Sequence, residues 1–214
     1  MRAVESDDRA WYVAYGSNMC RDRLLAYLEG TVAPTTAGRA GGVTEAGSRS
    51  ARYGPHRGCA DPTPPTADRA LELAQPVRFR GRSPRWGGGV AFLDLDSPEG
   101  PRTPARGWLL TVTQVLGVVG QESRRPVDPL RSVLEGLEVG ETAPLGGGWY
   151  DTLLRLDDID RRPAVTVTTA QPLPVTEPTA AYLATIAAGR AERPALPSGD
   201  RDADGRRGVR GSRR

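Results

Sequence analysis

The chain has 214 residues, enough for one domain of ordinary size and a tail. Hydrophobic residues make up only 38%, and Gly (26) and Pro (19) are abundant, so part of the chain is expected to lie outside any packed core. The net charge of +3 is small and most of its excess falls in the last residues, so it does not by itself suggest a nucleic-acid binder.

All 29 basic residues are Arg, which we read as the coding bias of a GC-rich genome. Cys20 and Cys59 are the two cysteines, too few for a disulfide scaffold and without metal spacing. They read as ordinary thiols of a reducing compartment. No run approaches the ~18 apolar residues of a membrane span, and the charged N-terminus has no apolar signal core. A cytoplasmic protein is the default expectation.

In chain order, residues 1–10 read as a mobile lead-in. Trp11 to Tyr15 is rich in aromatic and β-branched residues and predicts a strand. It breaks at Gly16-Ser17-Asn18, where Gly frees the backbone and Ser and Asn cap helices. A helix is predicted from Met19 to Glu29, with Leu24, Leu25 and Leu28 at helical spacing and Gly30 as its stop. A strand, a tight polar turn and a helix start bring several unpaired N–H groups together, a ready site for a carboxylate or a phosphate.

Thr31 to Asp68 shows little periodicity and reads as a long loop, functional or only partly structured. Strands are expected around Val77 and Phe79, at Trp86 to Leu93 behind a glycine run, and at Gly107 to Val112. Thr113 to Glu122 predicts a helix capped by Thr113. Val115, Val118 and Val119 form its apolar stripe, which Glu122 continues. Pro129 to Leu137 is a further short helix, and Gly146 to Gly148 a turn. Trp149 to Leu156 and Ala164 to Thr169 read as a strand pair. A last helix is expected at Pro178 to Ala188, stopped by Gly189. Residues 190–214 are dominated by charge, Pro and Gly and read as a disordered Arg-rich tail.

Glu122 stands out chemically. A carboxyl on the buried stripe of a helix is a satisfied structural group, a helix-end residue turned to water, or a working acid/base. Competing machinery is thin. His56 is the single histidine and has no supporting neighbour in sequence. A zinc site lacks ligands, and Gly16-Ser17-Asn18 lacks the phosphate-loop pattern. Asp157, Asp158 and Asp160 read as an exposed acidic turn rather than a metal cluster. No cofactor is implied.

Tyr15-Gly16-Ser17-Asn18-Met19, behind an apolar strand, resembles the YGSN signature of the γ-glutamylcyclotransferase-like (AIG2-like) superfamily. Trp86-Gly87-Gly88-Gly89-Val90-Ala91 looks like that family's tryptophan–glycine strand. Trp108 to Glu122 is similar to its strand–helix unit ending in the catalytic glutamate, and Pro178…Tyr182…Ile186 to its closing helix. The order and approximate spacing agree across residues 11–189; the stretch from Gly38 to Asp68 departs from the family's pattern. The resemblance implies an α+β fold, a small mixed β-barrel with packed helices, and a cavity at the YGSN turn. It implies release of 5-oxoproline from a small γ-glutamyl compound, without cofactor, with Glu122 as general acid/base. Substrate contacts are implied for Tyr15, Gly16, Ser17, Asn18, Met19, Cys20 and Tyr182. The alternatives are an amide-cleaving or acyl-transferring relative, a non-enzymatic ligand-binding module of the same fold, and a nucleic-acid contact through the Arg-rich tail.

Overall fold

The aromatic run near the amino end forms β1 (Arg9–Ala14), and the fold is built on both of its faces. The computed structural model describes residues 8–31, 45–97, 100–126 and 128–192. Residues 1–7 and 193–214 lie outside that set, as do 32–44, so most of the expected lead-in and tail is not described. Arg9 and Ala10, assigned to the lead-in, are strand residues. Arg190 to Glu192, assigned to the tail, are helical.

β1 is central because it pairs on both edges. It runs antiparallel to β5 (Thr103–Thr111), with Tyr12 opposite Trp108, and parallel to β8 (Arg162–Thr168), with Tyr12 opposite Val165. β2 (Ala67–Leu73) borders β5; β7 (Thr152–Ile159) and the short β6 (Thr142–Pro144) follow β8. The six-stranded order is β2-β5-β1-β8-β7-β6. A two-stranded ribbon, β3 (Val77–Arg80) with β4 (Val90–Leu93), completes the expected mixed β-structure.

Strand alternation then divides the core. Ala10, Tyr12 and Ala14 face α1 (Arg21–Glu29), α3 (Val112–Ser123) and α4 (Asp128–Gly136), packing with Leu24, Leu28, Val115, Val118 and Leu130. Trp11, Val13 and Tyr15 face the ribbon and α5 (Ala180–Glu192), packing with Val90, Phe92 and Tyr182. Among the described residues no helix is long and apolar enough to cross a membrane.

In the stretch 31–68 the partly structured reading holds: α2 (Glu45–Tyr53) lies within it, and β2 begins at Ala67. The structure corrects three local expectations. The cap of α3 is Thr111, not Thr113. Its hydroxyl accepts from Gln114 N–H at 3.2 Å while Gln114 Oε1 accepts from Thr111 N–H at 3.0 Å, a reciprocal capping box. The predicted helix after the first strand starts as a single 3₁₀ turn, Ser17–Met19, before α1. Gly189 does not stop the last helix but lies inside it. A Cβ there would stand 2.4 Å from Cys20 N and 2.5 Å from Met19 C, so glycine lets α5 cross directly over the turn after β1.

Candidate active site

The site starts where β1 ends. Tyr15 anchors the strand end by donating its hydroxyl to Val167 O at 2.6 Å on β8. The chain then turns through Ser17–Met19, closed by Met19 N–H to Gly16 O and Cys20 N–H to Ser17 O, both at 3.1 Å. Trp108 Nε1 donates to Asn18 O at 3.0 Å, tying the turn to β5. With its backbone pinned, Asn18 directs its side-chain amide at two acceptors. They are the Tyr12 hydroxyl at 3.1 Å and Glu122 Oε1 at 2.7 Å.

Glu122 reaches this point because of α3. The capping box fixes the start of the helix, the valine stripe fixes its rotation, and Arg124 ends it in the left-handed conformation. Glu122 is the residue before the last of the helix, half-buried, on a cavity wall. That cavity measures about 510 Å³ and is also lined by Ser17, Arg23, Tyr27, Trp86 and Tyr182. Its volume is in the range of small-molecule sites. A narrow cleft of about 30 Å³ continues behind Glu122, between Tyr15, Ser17 and Asn18.

Tyr182 comes from α5. Its hydroxyl accepts from Ala91 N–H at 3.0 Å, and its ring packs on Trp86 with centroids 5.1 Å apart. Tyr27 and Arg23, one turn apart on α1, also line the cavity, with Arg23 Nη2 donating to the Tyr27 hydroxyl at 3.0 Å. Tyr150 donates to Ala91 O at 3.1 Å and also lines the cavity.

Burial sets the electrostatics of the tyrosines in and around the site. Burial, with the Glu122 carboxylate adding to it, pushes the Tyr12 phenol up and also raises Tyr150, where Tyr182 and Tyr15 contribute. Burial raises Tyr15 and Tyr27 as well, in the latter against Arg23. Tyr182 is pushed up to about 12 by burial, with the Ala91 N–H opposing. All five phenols stay protonated at neutral pH and act as hydrogen-bonding groups, not bases. Burial and the Arg23 charge hold His56 at about 4, so its ring is neutral. Arg23 Nη1 lies 2.7 Å from His56 Nε2, and a guanidinium can only donate, so that nitrogen is the acceptor. Burial lifts the Cys59 thiol to about 12, which leaves it unreactive. Glu122 is the single carboxylate lining the cavity among the described residues.

The predicted residues divide. Ser17, Glu122 and Tyr182 line the main cavity. Tyr15, Gly16 and Asn18 line the narrow cleft behind it. Met19 and Cys20 line neither, and their N–H groups are used inside the turn, so they have no donor to offer a ligand. Arg23, Tyr27 and Tyr150 join the site without having been predicted. On α1 the spacing of the leucines drew attention to the core face, while Arg23 and Tyr27 share another face at i, i+4. Asp157, Asp158 and Asp160 stand far from this chemistry: Asp158 pairs with Arg155 and Asp160 with Arg69 at the β7–β8 hairpin.

No family model matches the chain, and no curated protein matches it. Among solved structures it is similar to the uncharacterized protein loc79017 from Homo sapiens. That likeness has 13% identity and a TM-score of 0.47, over 87% of this chain and 81% of the other. It is also similar to a structure described as a gamma-glutamyl cyclotransferase. Here identity is 12% and the TM-score 0.46, over 86% of this chain and 80% of the other. At these levels the functional reading stands on the residues of the site itself.

Proposed function

We propose that the chain is a γ-glutamylcyclotransferase-like enzyme that releases 5-oxoproline from a small γ-glutamyl compound. The observation that carries this reading is the Asn18–Glu122 contact, which sets the single cavity-lining carboxylate against the turn after β1.

The reaction needs little from the protein beyond shape and one proton carrier. The α-amine of the glutamyl group attacks its own γ-carbonyl carbon. A C–N bond forms, the carbonyl π electrons move to oxygen, and the amine proton passes to Glu122. The oxyanion then collapses, the original amide C–N bond breaks, and Glu122 returns the proton to the departing nitrogen. The products are 5-oxoproline and a free amine, with no water consumed. Holding nucleophile and electrophile in a folded conformer supplies most of the acceleration, since effective molarities of about 10⁵–10⁸ M are available to well-oriented pairs. General acid/base work by Glu122 adds about 10²–10⁴-fold. The N–H groups of Gly16, Ser17 and Asn18 are the proposed donors to the substrate carboxylate or the oxyanion. Tyr182 shapes the glutamyl side of the cavity against Trp86.

The test is a panel of γ-glutamyl compounds incubated with the purified protein and analysed by mass spectrometry. The reading expects 5-oxoproline and the free amine in equal amounts. Free glutamate instead would mean hydrolysis or transfer in the same cavity, and a bound but unaltered compound would mean a binding module.

A further inference from the structure

Arg23 is a buried cation that forms no ion pair among the described residues. It is 6% exposed, and its hydrogen-bond partners among the described residues are all neutral: the Tyr53 carbonyl at 3.0 Å, His56 Nε2 and the Tyr27 hydroxyl. Its Nε is buried with no acceptor among the described residues. Yet the side chain lines the cavity that holds Glu122. Keeping an uncompensated guanidinium out of water is costly unless something anionic completes it. Arg85 stands beside it: the two guanidinium carbons lie 6.0 Å and 5.9 Å from the centroid of the same ring, Trp86. Trp86 in turn packs on Tyr182, and both cations line the same cavity as Tyr182 and Glu122. Burial and the Arg23 charge hold the Arg85 guanidinium below its ordinary value, a repulsion that a bound anion would relieve.

The positive lining continues. A second cavity of about 570 Å³ shares Gln121 and Arg124 with the first and is lined further by His56, Arg57 and Arg125. His56 is neutral, so among the described residues the second cavity carries arginine charge and no carboxylate. Over both linings, Arg23, Arg57, Arg85, Arg124 and Arg125 face one acid, Glu122. Guanidinium forks match carboxylate and phosphate oxygens in pairs.

Taking the cavity as the cyclotransferase site proposed above, we propose that the departing amine is polyanionic. One carboxylate or phosphate sits against Arg23 and Arg85. A second lies past Arg124, against Arg57 and Arg125.

The experiment compares kcat/KM for 5-oxoproline release from four γ-glutamyl compounds that differ only in the departing amine. These are ethylamine with no anion, alanine with one carboxylate, glutamate with two, and phosphoethanolamine with a phosphate. Each added anionic group is expected to raise kcat/KM about 10-fold or more, mainly through KM. Arg85→Gln should shrink the preference for alanine over ethylamine. The exposed pair Arg57→Gln with Arg125→Gln should shrink the preference for glutamate over alanine, and these surface changes do not threaten the fold. A phosphate that outperforms the carboxylates would identify the source of the charge and uphold the proposal. Equal rates across the panel would overturn it and leave the cyclotransferase reading standing, with Arg23 answering the glutamyl α-carboxylate. If no compound yields 5-oxoproline, that reading falls, and calorimetry decides the anion site separately. Tighter binding of γ-glutamylglutamate than of the ethylamide, lost in the Arg57→Gln, Arg125→Gln protein, upholds it. Equal or absent binding overturns it.

Discussion

Asn18 and Glu122, 104 residues apart in the chain, are joined by one hydrogen bond of 2.7 Å from Nδ2 to Oε1. The same amide also reaches the Tyr12 hydroxyl. Asn18 therefore holds the carboxylate at a fixed place on the wall of the cavity, and the turn after β1 and the end of α3 act as one unit.

That relationship predicts the behaviour of Asn18→Ala. The buried Tyr12 hydroxyl and the half-buried Glu122 carboxylate lose their donor, and an unsatisfied buried group costs about 1–3 kcal/mol. The variant should unfold at lower urea concentration by that margin. Its kcat should fall about 10–100-fold with a smaller change in KM, because Glu122 is no longer held. Unchanged kcat in a protein that has lost stability would show that Asn18 serves the fold alone.

Gly16 carries a different constraint. A Cβ at this position would stand 2.9 Å from the Tyr182 hydroxyl, closer than the two atoms can approach. Gly16→Ala should therefore push Tyr182 off its bond to Ala91 N–H and lower stability by about 1–3 kcal/mol. Removing the hydroxyl with Tyr182→Phe makes room, so the double variant should lose less than the sum of the single losses. A double-mutant cycle by denaturant unfolding measures this coupling. Simple additivity would mean that the contact does not govern the turn.

His56 predicts a pH dependence of stability. Folded His56 takes up its proton only near pH 4, while in the unfolded chain it does so near 6.5. Between these values the unfolded chain binds more protons, so stability falls as pH drops from about 6.5 to about 4. The depressed carboxyls of Asp61, bonded to Thr63, and Asp94, bonded to Arg78, act in a separate window. Their contribution is present in full above about pH 4 and is lost below it. His56→Gln keeps a side-chain acceptor for Arg23 but does not titrate. Its urea midpoint should change less between pH 7 and pH 5 than that of the parent. Equal slopes in the two proteins would place the acid sensitivity elsewhere.

The parts of this arrangement that could be read from the sequence are those with strong periodicity or strong local chemistry. The strand–turn–helix at the amino end and the valine stripe of α3 are of this kind, and they carry Gly16, Ser17, Asn18 and Glu122. α2 could not be read, because its segment, EAGSRSARY, holds only Ala46, Ala51 and Tyr53 as apolar side chains, too few to mark a helical face in the sequence. β2 was missed for a related reason: within ADRALEL only Ala70 and Leu73 are buried, since the strand lies at the sheet edge. Gly189 misled because its role is a close crossing between elements, which no local signal reports. The Thr111 cap was legible after all, as a threonine followed three residues later by Gln114. Arg23 and Tyr27 needed the tertiary fold, since only the packing of α1 turns that face toward the cavity.

The central claim is that Glu122 carries the proton in 5-oxoproline release. Glu122→Gln retains the size of the side chain and can still accept from Asn18, so the fold should be kept, as circular dichroism and urea unfolding can verify. With a γ-glutamyl compound that the parent protein turns over, the account predicts a fall in kcat of about 10²-fold or more at little change in KM. A folded Gln variant that releases 5-oxoproline at the parental rate would contradict it.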